Sequence, residues 1–193
     1  NDAEVIHRLR VGFKKLRAHI RLAASVHGAD KKLQVPEGLK NIYHAAGEVR
    51  NLQLYRQVIL PFSKDTDSYP TIVTGEIDHA SAQLTRTIKD FKFHKARREI
   101  LHRLPSKLPG KVLDRFVEDK TNTINELLRK DMPDEDMHSI RKALKDISYN
   151  LKALKADEVK YLPIANRKSL LELTALMDTL NEYQDHVVHL SLL

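Results

Sequence analysis

An all-α fold of about six long helices is predicted by three features of the sequence. Apolar residues recur at intervals of three and four along nearly the whole chain, the pattern of helices that bury one face. All seven prolines fall between these periodic stretches, where they punctuate helices rather than interrupt them. Aromatic residues make up only 6% of the 193 positions and Trp is absent, which is too little β-forming material for an all-β domain.

The first helix is expected from about Glu4 to Val26, with Asp2 as its N-cap and the turn His27-Gly28-Ala29-Asp30 at its end. Its apolar stripe is Val5, Leu9, Phe13, Leu16 and Ile20. Pro36 and Gly38 introduce a second helix that reaches about Ile59 and stops at Pro61. Ser63 to Pro70 reads as a polar loop. A third, long helix is expected from about Thr71 to Leu104, closed by Pro105, Pro109 and Gly110. The fourth runs from about Lys111 to Lys130. Pro133 starts the fifth in its first turn, and that helix continues to about Lys155. Pro163 opens the sixth, which runs to the end of the sequence.

Two of these helices recur. With Glu4 aligned on Glu135, an offset of 131, His7 falls on His138, Arg10 on Arg141, Lys14 on Lys145 and Arg21 on Lys152. The apolar positions match in the same register: Ile6 with Met137, Leu9 with Ile140, Phe13 with Leu144, Leu16 with Ile147, Ile20 with Leu151. A second match, at offset 134, pairs Gly47-Glu48-Val49-Arg50-Asn51-Leu52 with Asn181-Glu182-Tyr183-Gln184-Asp185-His186. Amphipathic helices share apolar periodicity by chance, but not His, Arg and Lys in register and in the same order. The chain is a tandem duplication. Residues 1–131 form a first module of four helices, and residues 132–193 a second, shortened module of two.

Composition narrows the partners. No apolar run approaches ~18 residues, so no membrane-spanning helix is expected. The start, NDAEVIHRLR, has the character of neither a signal nor a transit peptide; lacking an initiator Met, it reads as a fragment or a trimmed chain. Cysteine is absent, which removes thiolate metal sites and Cys nucleophiles and fits a reducing compartment. The formal net charge is +7. Residues 1–22 carry a net +4 and residues 86–103 a net +5, so the positive field is local and its partner is an anion.

Projected at about 100° per residue, His7, Arg10, Lys14, Arg17 and Arg21 fall in a wedge of about 80°, stacked along roughly 21 Å of the first helix. The wedge borders the apolar stripe, whereas Arg8, Lys15 and His19 occupy the far face. The fifth helix repeats the wedge with His138, Arg141, Lys145 and Lys152, and Ser148 takes the place of one base. A merely solvated face mixes signs at i, i+4 because like charges there repel. This wedge holds no acid in either copy. A row of cations beside a hydrophobic seam calls for a polyanion or for buttressing acids.

These residues resemble a known family. Glu4-Val5-Ile6-His7-Arg8-Leu9-Arg10-Val11, continuing through Lys14-Lys15-Leu16-Arg17, is similar to the signature helix of the CHAD domain (conserved histidine α-helical domain). Met137-His138-Ser139-Ile140-Arg141-Lys142, with Lys145 and Tyr149, resembles its second copy. The two segments beginning at Gly47 and Asn181 resemble the family's "GE..D" helices. The resemblance runs along the whole chain. It implies two helical bundles related by a pseudo-two-fold axis, and a basic groove or pore between the modules that binds inorganic polyphosphate without catalysis. The residues it marks for polyphosphate are His7, Arg10, Lys14, Arg17, Arg21, His138, Arg141, Lys142, Lys145 and Lys152. Glu48, Arg50, Glu182 and Asp185 would lie behind them, orienting the cations or forming ordinary structural ion pairs. Asp146 and Ser148 stand where the motif often has bases, and Asn51 replaces a usual Asp. A weaker grip by the second row follows.

The chemistry suits such a ligand. A linear phosphate polymer has no base edges to read, so charge, hydrogen bonds and groove width must recognise it. Arg supplies forked donors, Lys a mobile point charge and protonated His a further donor. Nucleic-acid binding is the alternative, because Lys89–Arg103 interleaves bases with Phe91 and Phe93; against it, the bases point all round the helix and the two Phe residues suit a core. His7-Arg8-Leu9-Arg10-Val11-Gly12 also has a superficial likeness to a histidine phosphotransfer motif, but no Gly recurs near His138. A metal site on His7 and His138 is opposed by the surrounding cations. No catalytic residue, cofactor or metal is expected. The expected location is cytoplasmic, in association with polyphosphate granules, and the short second module is the expected surface for any oligomerisation.

Overall fold

The computed structural model describes residues 3–27, 33–64, 68–128, 132–153 and 167–191. Among them are seven α-helices and no strand: α1 (Ala3–Ala24), α2 (Glu37–Ile59), α3 (Tyr69–Asp90), α4 (Phe93–Arg103), α5 (Gly110–Leu127), α6 (Asp134–Ala153) and α7 (Arg167–Ser191). The all-α expectation holds. Prolines set the starts, since a missing N–H is harmless ahead of or within a first turn. The Pro36 carbonyl accepts from the Leu39 and Lys40 N–H groups at 3.0 and 3.2 Å, and the Pro133 carbonyl from Asp136 and Met137 at 3.0 and 3.2 Å. Pro133 thus precedes α6 instead of occupying its first turn. The Asp2 cap, the Gly28–Asp30 turn and Pro163 lie outside the described residues.

The single long third helix is a misreading. It is two helices, α3 and α4, separated at Phe91 and Lys92. Phe91 leaves the helical region (φ −84°, ψ 127°) while its N–H still bonds the Ile88 carbonyl. Its ring lies against Gly38 of α2, where a Cβ would come within 2.5 Å of the ring carbons. It also packs on the core formed by Ile6, Ile42, Ala46, Val49, Ala80 and Leu84. Seating this ring against a residue without a side chain is the reason the chain turns. No Pro or Gly marks the break, so periodicity ran through it. The expected core role is right for Phe91 and wrong for Phe93, which is 49% exposed and meets Phe91 edge-on at 4.8 Å.

The described residues divide into two compact units that cut across the sequence modules. Residues 3–14, 35–64 and 68–103 form one; residues 15–27, 33–34, 104–128, 132–153 and 167–191 form the other. Helix α1 therefore gives its first half to one unit and its second half to the other. In the first unit, α2 packs along α3 over the core just described. In the second, Val117, Ile147 and Leu151 cluster between α5 and α6, and Ile140, Leu144, Met177 and Leu180 between α6 and α7. On α1 the buried residues are Ile6, Phe13, Ala18, Ile20, Leu22 and Ala23, whereas Leu9, expected inside, is 37% exposed and Val5 is 50% exposed.

The two matched helices α2 and α7 differ in how their corresponding apolar positions are covered. At offset 134, Leu176, Leu180 and Tyr183 correspond to Ile42, Ala46 and Val49 of α2. All three α2 residues are buried, partly under α3. On α7 only Leu180 is buried, and Leu176 and Tyr183 are exposed.

Candidate anion-binding site

Arg10 carries the first part of the site. Its guanidinium lies over the Tyr43 ring at 4.6 Å, and Nη1 donates to the Tyr43 carbonyl at 3.2 Å. Tyr43 is itself stacked on Phe13, with ring centroids 4.6 Å apart and planes at 20°. The guanidinium fits because position 47 is glycine: any Cβ there would overlap Nη1. Three aligned features thus hold a long, flexible side chain in one pose beside a cleft of about 600 Å³. His44, Glu48, Asn51, Gln83 and Thr87 line that cleft together with Arg10. Glu48 shares the cleft but forms no ion pair among the described residues, so Arg10 is oriented by Tyr43 and Gly47.

The second copy holds its arginine at the corresponding place by other means. Arg141 Nη1 donates to Asn181 Oδ1 at 3.1 Å, and Asn181 is the repeat equivalent of Gly47. His138 Nδ1 lies 2.7 Å from Gln184 Oε1, and Gln184 is the equivalent of Arg50. In both copies, then, the motif arginine is seated at the same position of the second motif helix, once against a bare backbone and once on an amide. Tyr183 donates to Asp134, which steadies the start of α6 and raises the Tyr183 phenol above its usual range.

Arg21 is engaged differently. Its Nη1 donates to both oxygens of Asp146, at 2.9 and 2.8 Å, and Lys120 Nζ of α5 lies 3.3 Å from the same carboxylate. Asp146 is buried at 5% exposure. One turn on, Asn150, 1% exposed, donates through Nδ2 to the carbonyls of Ala18 (3.2 Å) and Asp146 (2.8 Å). That use of Nδ2 turns Oδ1 toward His19, whose Nδ1 lies at 2.8 Å and must carry the proton, because an amide oxygen only accepts. His19 was expected on the far, solvated face; α6 meets α1 there, so it is half-buried. His19 and Asn150 stand 131 residues apart, the offset of the repeat.

The remaining residues separate by exposure. Lys14, Arg17, Lys145 and Arg50 are half-buried; His7, Lys142, Lys152, Glu182 and Asp185 are exposed, as are Arg8 and Lys15. Sequence reasoning passed over Tyr43, Lys120, Asn150 and the roles of Asn181 and Gln184. The last two were legible as the repeat partners of Gly47 and Arg50. Among the described residues no group of three or more His, Asp or Glu side chains could hold a metal ion, and no helix is long and apolar enough to cross a membrane.

A family model of the CHAD domain matches residues 1–193. The chain belongs to the CHAD domain family. Neither the curated proteins nor the solved structures contain a match to it. Within this CHAD domain the two signature helices are α1 and α6, and the segments beginning at Gly47 and Asn181 lie on α2 and α7.

Proposed function

We propose that this CHAD domain binds inorganic polyphosphate and performs no chemistry on it. The observation that carries the reading is the repeated seating of Arg10 and Arg141 at equivalent positions of α2 and α7. A guanidinium fixed before the ligand arrives loses little rotamer freedom on binding, so more of each charge-assisted hydrogen bond appears as affinity. Half-buried Lys14, Arg17 and Lys145 continue the rows with the same sign. A flexible phosphate chain can follow such rows, and no nucleophile or metal cluster is needed for it.

The test is titration of labelled polyphosphate across a salt series, with single- and double-stranded DNA of equal charge as competitors. Binding should fall steeply with salt, since several phosphates exchange counterions for fixed cations, and DNA should compete poorly. Equal competition by DNA would favour the second reading, nucleic-acid binding. One feature speaks for it: exposed Phe93 stands on α4 beside exposed Lys92, Lys95, Arg97 and Arg98, a stacking surface amid cations.

A further inference from the structure

The Arg21–Lys120–Asp146 cluster is an ion triad in which two cations share one buried carboxylate. The side chains of Arg21 and Lys120 are 37% and 28% exposed, whereas that of Asp146 is 7% exposed. The cations therefore keep contact with water, and the acid lies beneath them. Arg21 approaches the carboxylate end-on through Nη1 alone, so its forked edge is not used on Asp146. The internal repeat adds a second observation. Position 146 corresponds to position 15, where the first copy has Lys15, exposed on α1. The two copies thus carry opposite charges at one register position, and the acid is the copy that is buried.

We infer that Asp146 is a specificity-determining residue that stands in for a phosphate of the ligand: it neutralises Arg21 and Lys120 from below and withdraws this end of the basic row from the polyanion. The inference rests on the polyphosphate reading above. Lys120, on α5 and outside both signature helices, is accordingly a latent anion-binding residue. The internal carboxylate competes without any loss of translational freedom, so it prevails over single phosphates at ordinary salt. A bare structural ion pair would hold the helices together but would leave the ligand's salt dependence untouched when altered.

The experiment compares wild type, Asp146→Asn, Lys120→Gln and the double variant, each checked by thermal denaturation. Asn keeps an oxygen for Arg21 and removes the charge. Asp146→Asn should bind polyphosphate about tenfold more tightly, and its log–log salt slope should steepen by about 0.7–0.9 for each cation recruited. Lys120→Gln should change wild-type affinity less than twofold and should remove much of the gain in the Asn background. If Asp146→Asn melts early, Lys120→Gln alone still decides: a loss beyond about threefold in an otherwise wild-type chain means Lys120 already grips the polymer, and the inference fails. It also fails if folded Asp146→Asn binds no more tightly than wild type. Tripolyphosphate serves as a short probe in parallel, with binding gained only in the Asn variant. If wild type ignores the long polymer at low salt, the polyphosphate reading falls, and the inference with it. If wild type binds and the variants match it, only the inference falls.

Discussion

Replacing Gly47 by Ala should move Arg10 without unfolding α2. A Cβ at position 47 overlaps Arg10 Nη1, and the tip of a flexible side chain yields before the backbone does. The displaced guanidinium forfeits its place over the Tyr43 ring, about 0.5–1 kcal/mol, and the hydrogen bond to the Tyr43 carbonyl. At a half-exposed site that bond contributes about 0.5–1.5 kcal/mol net. Ala gains about 0.8–1.0 kcal/mol over Gly in a helix interior. The gain offsets part of the loss, so Gly47→Ala alone should cost no more than about 1.7 kcal/mol. With Arg10→Ala already present the clash is gone and only the propensity gain remains. There Gly47→Ala should stabilise by about 1 kcal/mol, a rise of roughly 2–4 °C in Tm for a chain of this size. The cycle yields a coupling of about 1–2.5 kcal/mol, measurable by urea denaturation. Polyphosphate affinity should fall for Gly47→Ala although no charge has been removed. A coupling within about 0.3 kcal/mol of zero, with unchanged affinity, would refute the seating of Arg10 by Gly47.

Charge position should outweigh charge number. Arg10→Ala should weaken polyphosphate binding by about 1.5–3 kcal/mol, and Arg8→Ala, with its side chain 68% exposed and facing Glu4 at 3.9 Å, by well under 1 kcal/mol; equal losses in titration would mean the ligand only coats a basic surface. Asn150→Ala should destabilise the fold by about 2–3 kcal/mol, because it unmakes two buried hydrogen bonds and a half-buried one and leaves a void. A loss below about 1 kcal/mol in urea denaturation would contradict the bonding pattern. Tyr183→Phe should remove one phenol that titrates above the ordinary tyrosine range in an alkaline absorbance titration. Since the Asp134 bond favours the protonated phenol, its contribution is complete below the unfolded pKa near 10 and disappears as pH rises through the higher folded value.

Helix existence was legible because Pro36, Pro70, Pro109 and Pro133 stand at or just ahead of helix starts. What escaped were events decided by a partner distant in sequence. The bend at Phe91 depends on the bare surface of Gly38, fifty-three residues earlier. His19 looks solvated on an isolated helix and is covered only because Asn150 arrives beside Ala18. Asp146 was noticed as a missing base; that it neutralises Arg21 and Lys120 requires knowing where α5 passes. For Arg10 and Arg141 the cationic rows were visible, while the aromatic and amide seats that fix them were not.

The sharing of α1 has a consequence for how the protein is made. By the time residue 103 has been added, every major element of the first unit exists, and that unit can close. The second half of α1 must wait for α6, its partner at Asn150, 131 residues downstream. At about 5–20 residues per second the delay is roughly 7–26 s. Closing so long a loop costs only about 0.6 kcal/mol more than closing one of half the length, so time outweighs entropy. Throughout the wait, Ala18, Ile20, Leu22 and Ala23, all buried in the finished fold, lack their final cover. A nascent chain of this design therefore carries an uncovered apolar stretch until α6 has been made.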